Sequence, residues 1–261
     1  MKSRFIKIAV ETAVKAGIYA KRRKGKIKKI SYKGDINLVT DVDKSCEKMI
    51  VSSLRKHFRG HSILSEEDTR KPDETEFRWV VDPLDGTTNY SKGLPIYSVS
   101  IALERKGKTV LGVVYDPERD ELFRAERGKG SFLNKKRIYV SKSKRLIESL
   151  LVTGFAYDIR TTKLDNMEYF RTFIKKSLAV RRLGSAAIDL CYVACGRFDG
   201  FWEMNLHPWD SAAGYLIVME AGGSVTKFDG SCYSHYDREL LATNSIIHKE
   251  MLSVLRKENI N

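Results

Sequence analysis

The chain predicts a mixed α/β protein whose helices and strands stack in layers, an α/β (α+β) arrangement. Three observations carry this: an amphipathic helix opens the chain, alternating strand segments joined by short turns fill its middle, and strands and helices alternate beyond them. With 261 residues and 29.8 kDa there is enough chain to bury a large core, as one large domain or two closely fused ones.

Residues 4–22 place Phe5, Ile6, Ala9, Val10, Ala13, Val14, Gly17 and Ile18 on one stripe, the period of a helix. The basic run at 21–29 reads either as a nucleic-acid patch or as a solvated helix end whose cations complement the dipole; without interleaved aromatics, the second is simpler. Residues 33–40 alternate toward a strand or hairpin. Thr40 or Asp41 then caps a second helix running to about Phe58, with Cys46, Ile50 and Leu54 on its apolar face. His61 to Leu64 reads as a strand presenting Glu66 and Glu67 at its end, and Val80-Val81 as a strand running into Asp82.

Next, residues 97–103 alternate Ser98 and Ser100 against Val99 and Ile101, the period of a half-buried strand. Turns at 106–108, 116–117 and 128–130 separate further strands at 110–115, 122–125, around Phe132 and at 137–140, an antiparallel meander. The polar run 141–145 interrupts the pattern and divides the chain into residues 1–145, helices plus antiparallel sheet, and 146–261, an α/β part. Beyond it come a strand at 150–153, a helix at 163–176, a strand at 179–182 and a helix at 186–194 capped by Ser185. The segment Gly200-Phe201-Trp202-Glu203 precedes a helix that starts near Pro208 and ends at Gly222-Gly223.

Net charge is +14, from 47 Lys and Arg against 33 Asp and Glu, so anions of several kinds are attracted: substrate phosphates, nucleic acid or acidic proteins. Cys46, Cys191, Cys195 and Cys232 form no C-x-x-C pair or disulfide spacing, and Cys191 and Cys195, one helical turn apart, read as core packing. The five histidines make no H-E-x-x-H pattern, which argues against zinc. Hard oxygen ligands remain, favouring Mg²⁺, with Mn²⁺ as a substitute. The amino terminus has no apolar run of signal-peptide or membrane-span length, so a soluble cytoplasmic protein is expected.

The chemistry concentrates in Val80-Val81-Asp82-Pro83-Leu84-Asp85-Gly86-Thr87-Thr88-Asn89. Carboxylates three positions apart beside an apolar strand repel each other unless a cation sits between them. Pro83 stiffens the loop, and Gly86, Thr87 and Thr88 offer backbone N–H groups to an anion. A cation beside a phosphate pocket is the chemistry this spelling predicts; an Asp-Pro turn capped by Thr is the plainer alternative.

This segment resembles the signature of the inositol monophosphatase family, the metal-dependent, lithium-sensitive sugar-phosphate phosphatases. Two distant stretches match in the same order, Ile63-Leu64-Ser65-Glu66-Glu67 and His207-Pro208-Trp209-Asp210-Ser211-Ala212-Ala213-Gly214, with Ser65 where the family usually has Gly. The resemblance implies a layered αβαβα sandwich, an antiparallel-sheet half followed by an α/β half. It implies two or three Mg²⁺ ions: Glu66, Asp82 and the Leu84 carbonyl around the first, Asp82, Asp85 and Asp210 around the second, and a weaker third sharing Glu66. Thr87 backed by Asp43, with Glu66, would act on the attacking water. Gly86, Thr87, Thr88, Gly184, Ser185, Ala186, Glu203 and Asp210 would contact the substrate, a small phosphate ester. Glu203 could instead pair with Arg181 or Arg182. Inositol-1-phosphate leads among substrates, ahead of fructose-1,6-bisphosphate, other sugar phosphates and nucleotide phosphates. A homodimer is implied, and no membrane. D-x-D-x-T, the motif of aspartyl-phosphate enzymes, is absent, so no covalent phosphoenzyme is expected. A different class of function, contact with RNA or an RNA polymerase complex, follows from relatives of the resembled family and suits the charge, without a recognisable RNA-binding motif.

Overall fold

The computed structural model describes residues 4–33, 37–67, 75–157, 159–160, 162 and 165–258. The opening helix is α1 (Arg4–Arg23), and the face it buries shares Ala9, Ala13 and Gly17 with the predicted stripe but is turned toward the helix's small residues. Ala9, Ala13, Ala16, Gly17 and Ala20 pack inward, while Ile18 is exposed and Val10 and Val14 only half-buried. Small residues win because they let the helix lie close to the sheet: a Cβ on Gly17 would meet the Tyr115 ring at 2.5 Å. The expected hairpin is β1 (Ile30–Lys33) paired antiparallel with β2 (Asn37–Thr40), its turn lying outside the described residues. Helix α2 (Asp41–His57) follows, with a capping box at Thr40 and Asp43.

A seven-stranded sheet then runs in chain order through β3 (Ser62–Ser65), β4 (Phe77–Asp85), β5 (Ser98–Arg105), β6 (Lys108–Asp116), β7 (Glu121–Glu126), β8 (Ser131–Leu133) and β9 (Lys136–Ile138). All pairs are antiparallel except β3 with β4. The short helix α3 (Thr87–Ser91) joins β4 to β5. β5 is not half-buried as its alternation suggests: Ser98 and Ser100 are as buried as Val99 and Ile101. Its serines face a second helical layer rather than water, and their small size admits that layer.

The second half holds β10 (Leu150–Thr153), α4 (Met167–Lys176), β11 (Ala179–Arg181), α5 (Ala186–Ala194), β12 (Gly200–Met204), α6 (Pro208–Glu220), β13 (Ser224–Thr226), β14 (Glu239–Thr243) and α7 (His248–Glu258). Lys163, the expected start of α4, lies outside the described residues. The five-stranded sheet has the order β11-β10-β12-β14-β13, with β10, β11 and β12 parallel and β14 antiparallel to both its neighbours. Helices α1 and α2 cover the outer face of the first sheet, α5 and α6 lie between the two sheets, and α4 and α7 cover the far face of the second. The described residues make five layers, αβαβα, around three apolar clusters. All four cysteines are free, with Cys46 and Cys191 buried. Among the described residues, no helix is long and apolar enough to cross a membrane.

Candidate active site

The centre of the site is the end of β4. Asp82 pairs with Ser100 and Asp85 with Ser98, so the strand carries one extra residue there, a bulge built around Pro83, which has no N–H to give the ladder. Asp82 Oδ1 accepts the Leu84 N–H at 3.0 Å. Gly86 turns the chain with φ +91°, and a Cβ there would stand 2.9 Å from the Ile96 carbonyl oxygen and 3.2 Å from that of Gly184. Only glycine fits this corner.

Each neighbouring element delivers one acid to that corner. The parallel register Ser65↔Val81, with Glu66 N–H donating to the Val81 carbonyl at 3.2 Å, sets Glu66 beside Asp82. Glu67 instead brings its charge to bear on Asp43. Asp43, in the first turn of α2, accepts from the Thr40 hydroxyl and N–H on one oxygen and from the Thr87 hydroxyl, at 2.8 Å, on the other. Asp210, in the first turn of α6, accepts the His207 N–H at 2.7 Å. Asp85 reaches into the second half of the chain, where its Oδ2 accepts from the Ser185 hydroxyl at 2.5 Å and the Ala187 N–H at 2.9 Å, capping α5. Asn89, to which sequence reasoning assigned no task, ties the same two halves: its amide donates to the carbonyls of Ile96 at 2.9 Å and Leu183 at 2.8 Å.

A pocket of about 320 Å³ opens beside these acids. Glu66, Asp85 and Asp210 stand on its wall with Gly184, Ser185 and Ala186, and Glu203 is buried in it. The carboxyl ends of the parallel strands β10, β11 and β12 point at it through Gly154, Arg182 and Asn205, the usual place for a ligand in such a sheet. Gly86, Thr87 and Thr88 do not line it, although Thr88 hydrogen-bonds Tyr157, which does. Glu203 lies under the charge of Arg182, while Arg181 hydrogen-bonds the Val180 carbonyl.

The electrostatics are those of crowded carboxylates. Burial, and then the charges of Glu66, Asp85 and Asp210, hold the Asp82 carboxyl well above its usual range. Burial and then Asp85 do the same to Asp210. Burial lifts Asp85 to about 6, against the hydrogen bonds from Ser185 and Ala187, and lifts Glu203 to about 8 against the pull of Arg182. Asp43 is raised by burial and held back by its bonds from Thr40 and Thr87.

These donors are all hard oxygens, and Asp82, Asp85 and Asp210 each keep one carboxylate oxygen anchored to a backbone N–H. That chemistry fits a divalent cation of the Mg²⁺ class, which would offset their mutual repulsion. As the side chains stand, however, no group of three or more His, Cys, Asp or Glu among the described residues is disposed to hold an ion. Electrostatic proximity and donor type carry the fit; convergence does not.

Sequence reasoning also passed over Asp189 and Tyr157, and gave Trp209 no task beyond its place in the motif; all three stand on the pocket wall. Asp189 had a legible signal, as the lone charge in an otherwise apolar helix, AAIDLCYVA.

Comparison with known proteins establishes the family. The inositol monophosphatase family model matches residues 1–260. An inositol-1-monophosphatase of Mesorhizobium japonicum is 39% identical over 98% of this chain and 97% of that protein. A protein of Escherichia coli K12 named Nus factor SuhB is 42% identical over 97% of this chain and 96% of that protein. The structure of inositol monophosphatase from Anabaena (Nostoc) sp. PCC 7120 superposes with a TM-score of 0.89 at 42% identity, covering 97% of this chain and 95% of that one. The chain therefore belongs to the inositol monophosphatase family and is a phosphatase, a metal-dependent phosphoric monoester hydrolase.

Proposed function

We propose that the substrate is a polyol phosphate, inositol-1-phosphate first, and that the cation is Mg²⁺, held by Glu66, Asp82, Asp85, Asp210 and the Leu84 carbonyl. The observation that carries this reading is the pocket with two chemically distinct ends: an acid cluster at the end of β4, and Glu203 buried at the ends of the parallel strands. A carboxylate accepts two ring-hydroxyl hydrogen bonds, which suits a polyol. When bound, the cation would neutralise the phosphate and make a water acidic enough to attack near neutral pH.

The protein's own residues do the rest. Thr87, hydrogen-bonded to Asp43, orients the water for in-line attack on phosphorus and takes its proton as it passes its own to Asp43. The P–O bond to the polyol breaks, and the alkoxide leaves with a proton from solvent. Little covalent work falls to the protein, in keeping with loose phosphoryl-transfer transition states.

The test is phosphate release from inositol-1-phosphate and fructose-1,6-bisphosphate, with and without Mg²⁺, for wild type and Asp82→Asn. Mg²⁺-dependent turnover should fall on the order of a thousandfold in the variant, and the faster substrate names the specificity. A folded wild type inert on both would sink the substrate assignment.

A second reading draws on the 42% identity to a protein named Nus factor and on the +14 charge: participation in an RNA or RNA polymerase complex. RNA binding that falls steeply with salt and survives Asp82→Asn would support it; the lack of any such binding would end it.

A further inference from the structure

Helix α5 enters the molecule between the two sheets and is buried from Ala187 to its end, and Asp189 is its one charged residue. The side chain is 1% exposed, lines the catalytic pocket, and has an oxygen, Oδ1, without a hydrogen-bond partner among the described residues. Its electrostatic neighbours are Glu203 and Asp85, which oppose its charge, and Arg182, which favours it. Glu203 also lies under the influence of Arg182, and it packs so closely on Gly154 that a side chain there would collide with its carboxyl.

Stability alone does not account for an acid at this place. An unpaired buried oxygen loses its hydration and gets nothing back, and a leucine would fill the same space without that loss. An orphaned polar atom on the wall of a binding pocket points instead to a ligand that completes it.

We infer that Asp189 determines specificity: together with Glu203 it forms a two-carboxyl floor that receives the hydroxyl groups of the substrate, with Asp189 contributing the oxygen that the fold leaves unpaired. The inference rests on the polyol-phosphate reading above and deepens it. A cation among the acids at the other end of the pocket would draw the ester phosphate there, leaving the two carboxyls to the hydroxyl groups. A ring hydroxyl both donates and accepts, so it pairs with either carboxyl whether ionised or protonated. Neighbouring hydroxyls on one ring give each acid a partner, whereas a substrate with a bare apolar group would leave both unpaired and be rejected. Burial and the facing Glu203 push the Asp189 carboxyl well above its usual range, so asparagine is its close mimic.

The experiment compares inositol-1-phosphate with phenyl phosphate, which carries no ring hydroxyl, for wild type, Asp189→Leu and Asp189→Asn, with thermal melts of each. Asp189→Leu should raise KM for inositol-1-phosphate about tenfold or more with kcat held within about twofold, while kcat/KM for phenyl phosphate, relieved of one unpaired acid, should rise or hold rather than fall. Its Tm should not fall below that of wild type, since an apolar residue replaces an unpaired acid. Asp189→Asn should return KM to within about threefold of wild type. Should the leucine variant not fold, Asp189→Ala carries the same comparison. Equal loss on both substrates, or no change in KM, overturns the inference and leaves the polyol reading standing. A wild type that does not prefer inositol-1-phosphate to phenyl phosphate overturns both.

Discussion

Thr87 has one hydroxyl proton and two acceptors within reach, Asp43 Oδ1 at 2.8 Å and the Leu84 carbonyl at 3.0 Å. Asp43 is the stronger partner because a carboxylate draws the proton more firmly than a carbonyl. That leaves the Thr87 oxygen free to accept from a water. Thr87→Ala should therefore lower kcat about 10²- to 10³-fold with little change in KM, and Asp43→Asn should do the same. Because the two residues act as one unit, the double variant should be scarcely worse than either single one, and Thr87→Ser should restore most of the rate. Steady-state kinetics on the four variants decides it: multiplicative losses would mean that the two residues act separately.

At the scale of elements, the site depends on how closely α6 lies on the first sheet, because Asp210 rides on its first turn. Gly112 on β6 makes that approach possible. A Cβ there would stand 2.6 Å from the carbonyl oxygen of Ala213 on α6, a backbone atom that cannot swing aside. Gly112→Ala should lift the helix, cost about 1–3 kcal/mol of stability and lower Tm accordingly. The same displacement should raise the Mg²⁺ concentration needed for half-maximal activity, as Asp210 moves away from Asp82 and Asp85. Denaturant melts and a Mg²⁺ titration check both halves. A variant as stable as wild type would show that α6 sits less tightly than its backbone contacts imply.

For the whole molecule, crowded acids at the centre make stability a function of pH. Folding raises Asp85 from an ordinary 3.8 to about 6 and Glu203 from 4.5 to about 8. Both folded values lie above the unfolded ones, so the folded state holds protons that the unfolded chain has already released. Any stability from these groups is fully present below about pH 4 and is lost as pH rises through the folded values toward 8. In metal-free buffer, Tm should fall between pH 5 and about 8.5, and added Mg²⁺ should recover most of the loss by pairing with the ionised acids. Thermal scans across that range, with and without Mg²⁺, provide the check. A metal-free Tm that holds steady or climbs with pH would show that these carboxyls do not govern global stability.

What the sequence determined by itself is local. Thr40, Ser185 and Pro208 announce helix starts that the structure places at α2, α5 and α6, because capping acts over three or four residues. The meander from β5 to β9 is legible from its turns, and the acids of the candidate site are legible as short motifs. Beyond Gly223 the periodicities assign no element, yet β13, β14 and α7 complete the second sheet and its outer layer; such short strands are held by their neighbours rather than by pattern. Tertiary structure alone decided how far the buried face of α1 is turned toward its alanines, that both faces of β5 are covered, and that Asp189 stands unpaired among the described residues on the pocket wall. It also joined Asp85 to Ala187 and Asn89 to Leu183, contacts between residues 102 and 94 positions apart. Periodicity reports which side chains share a face of one element; only the packing of five layers decides what that face meets.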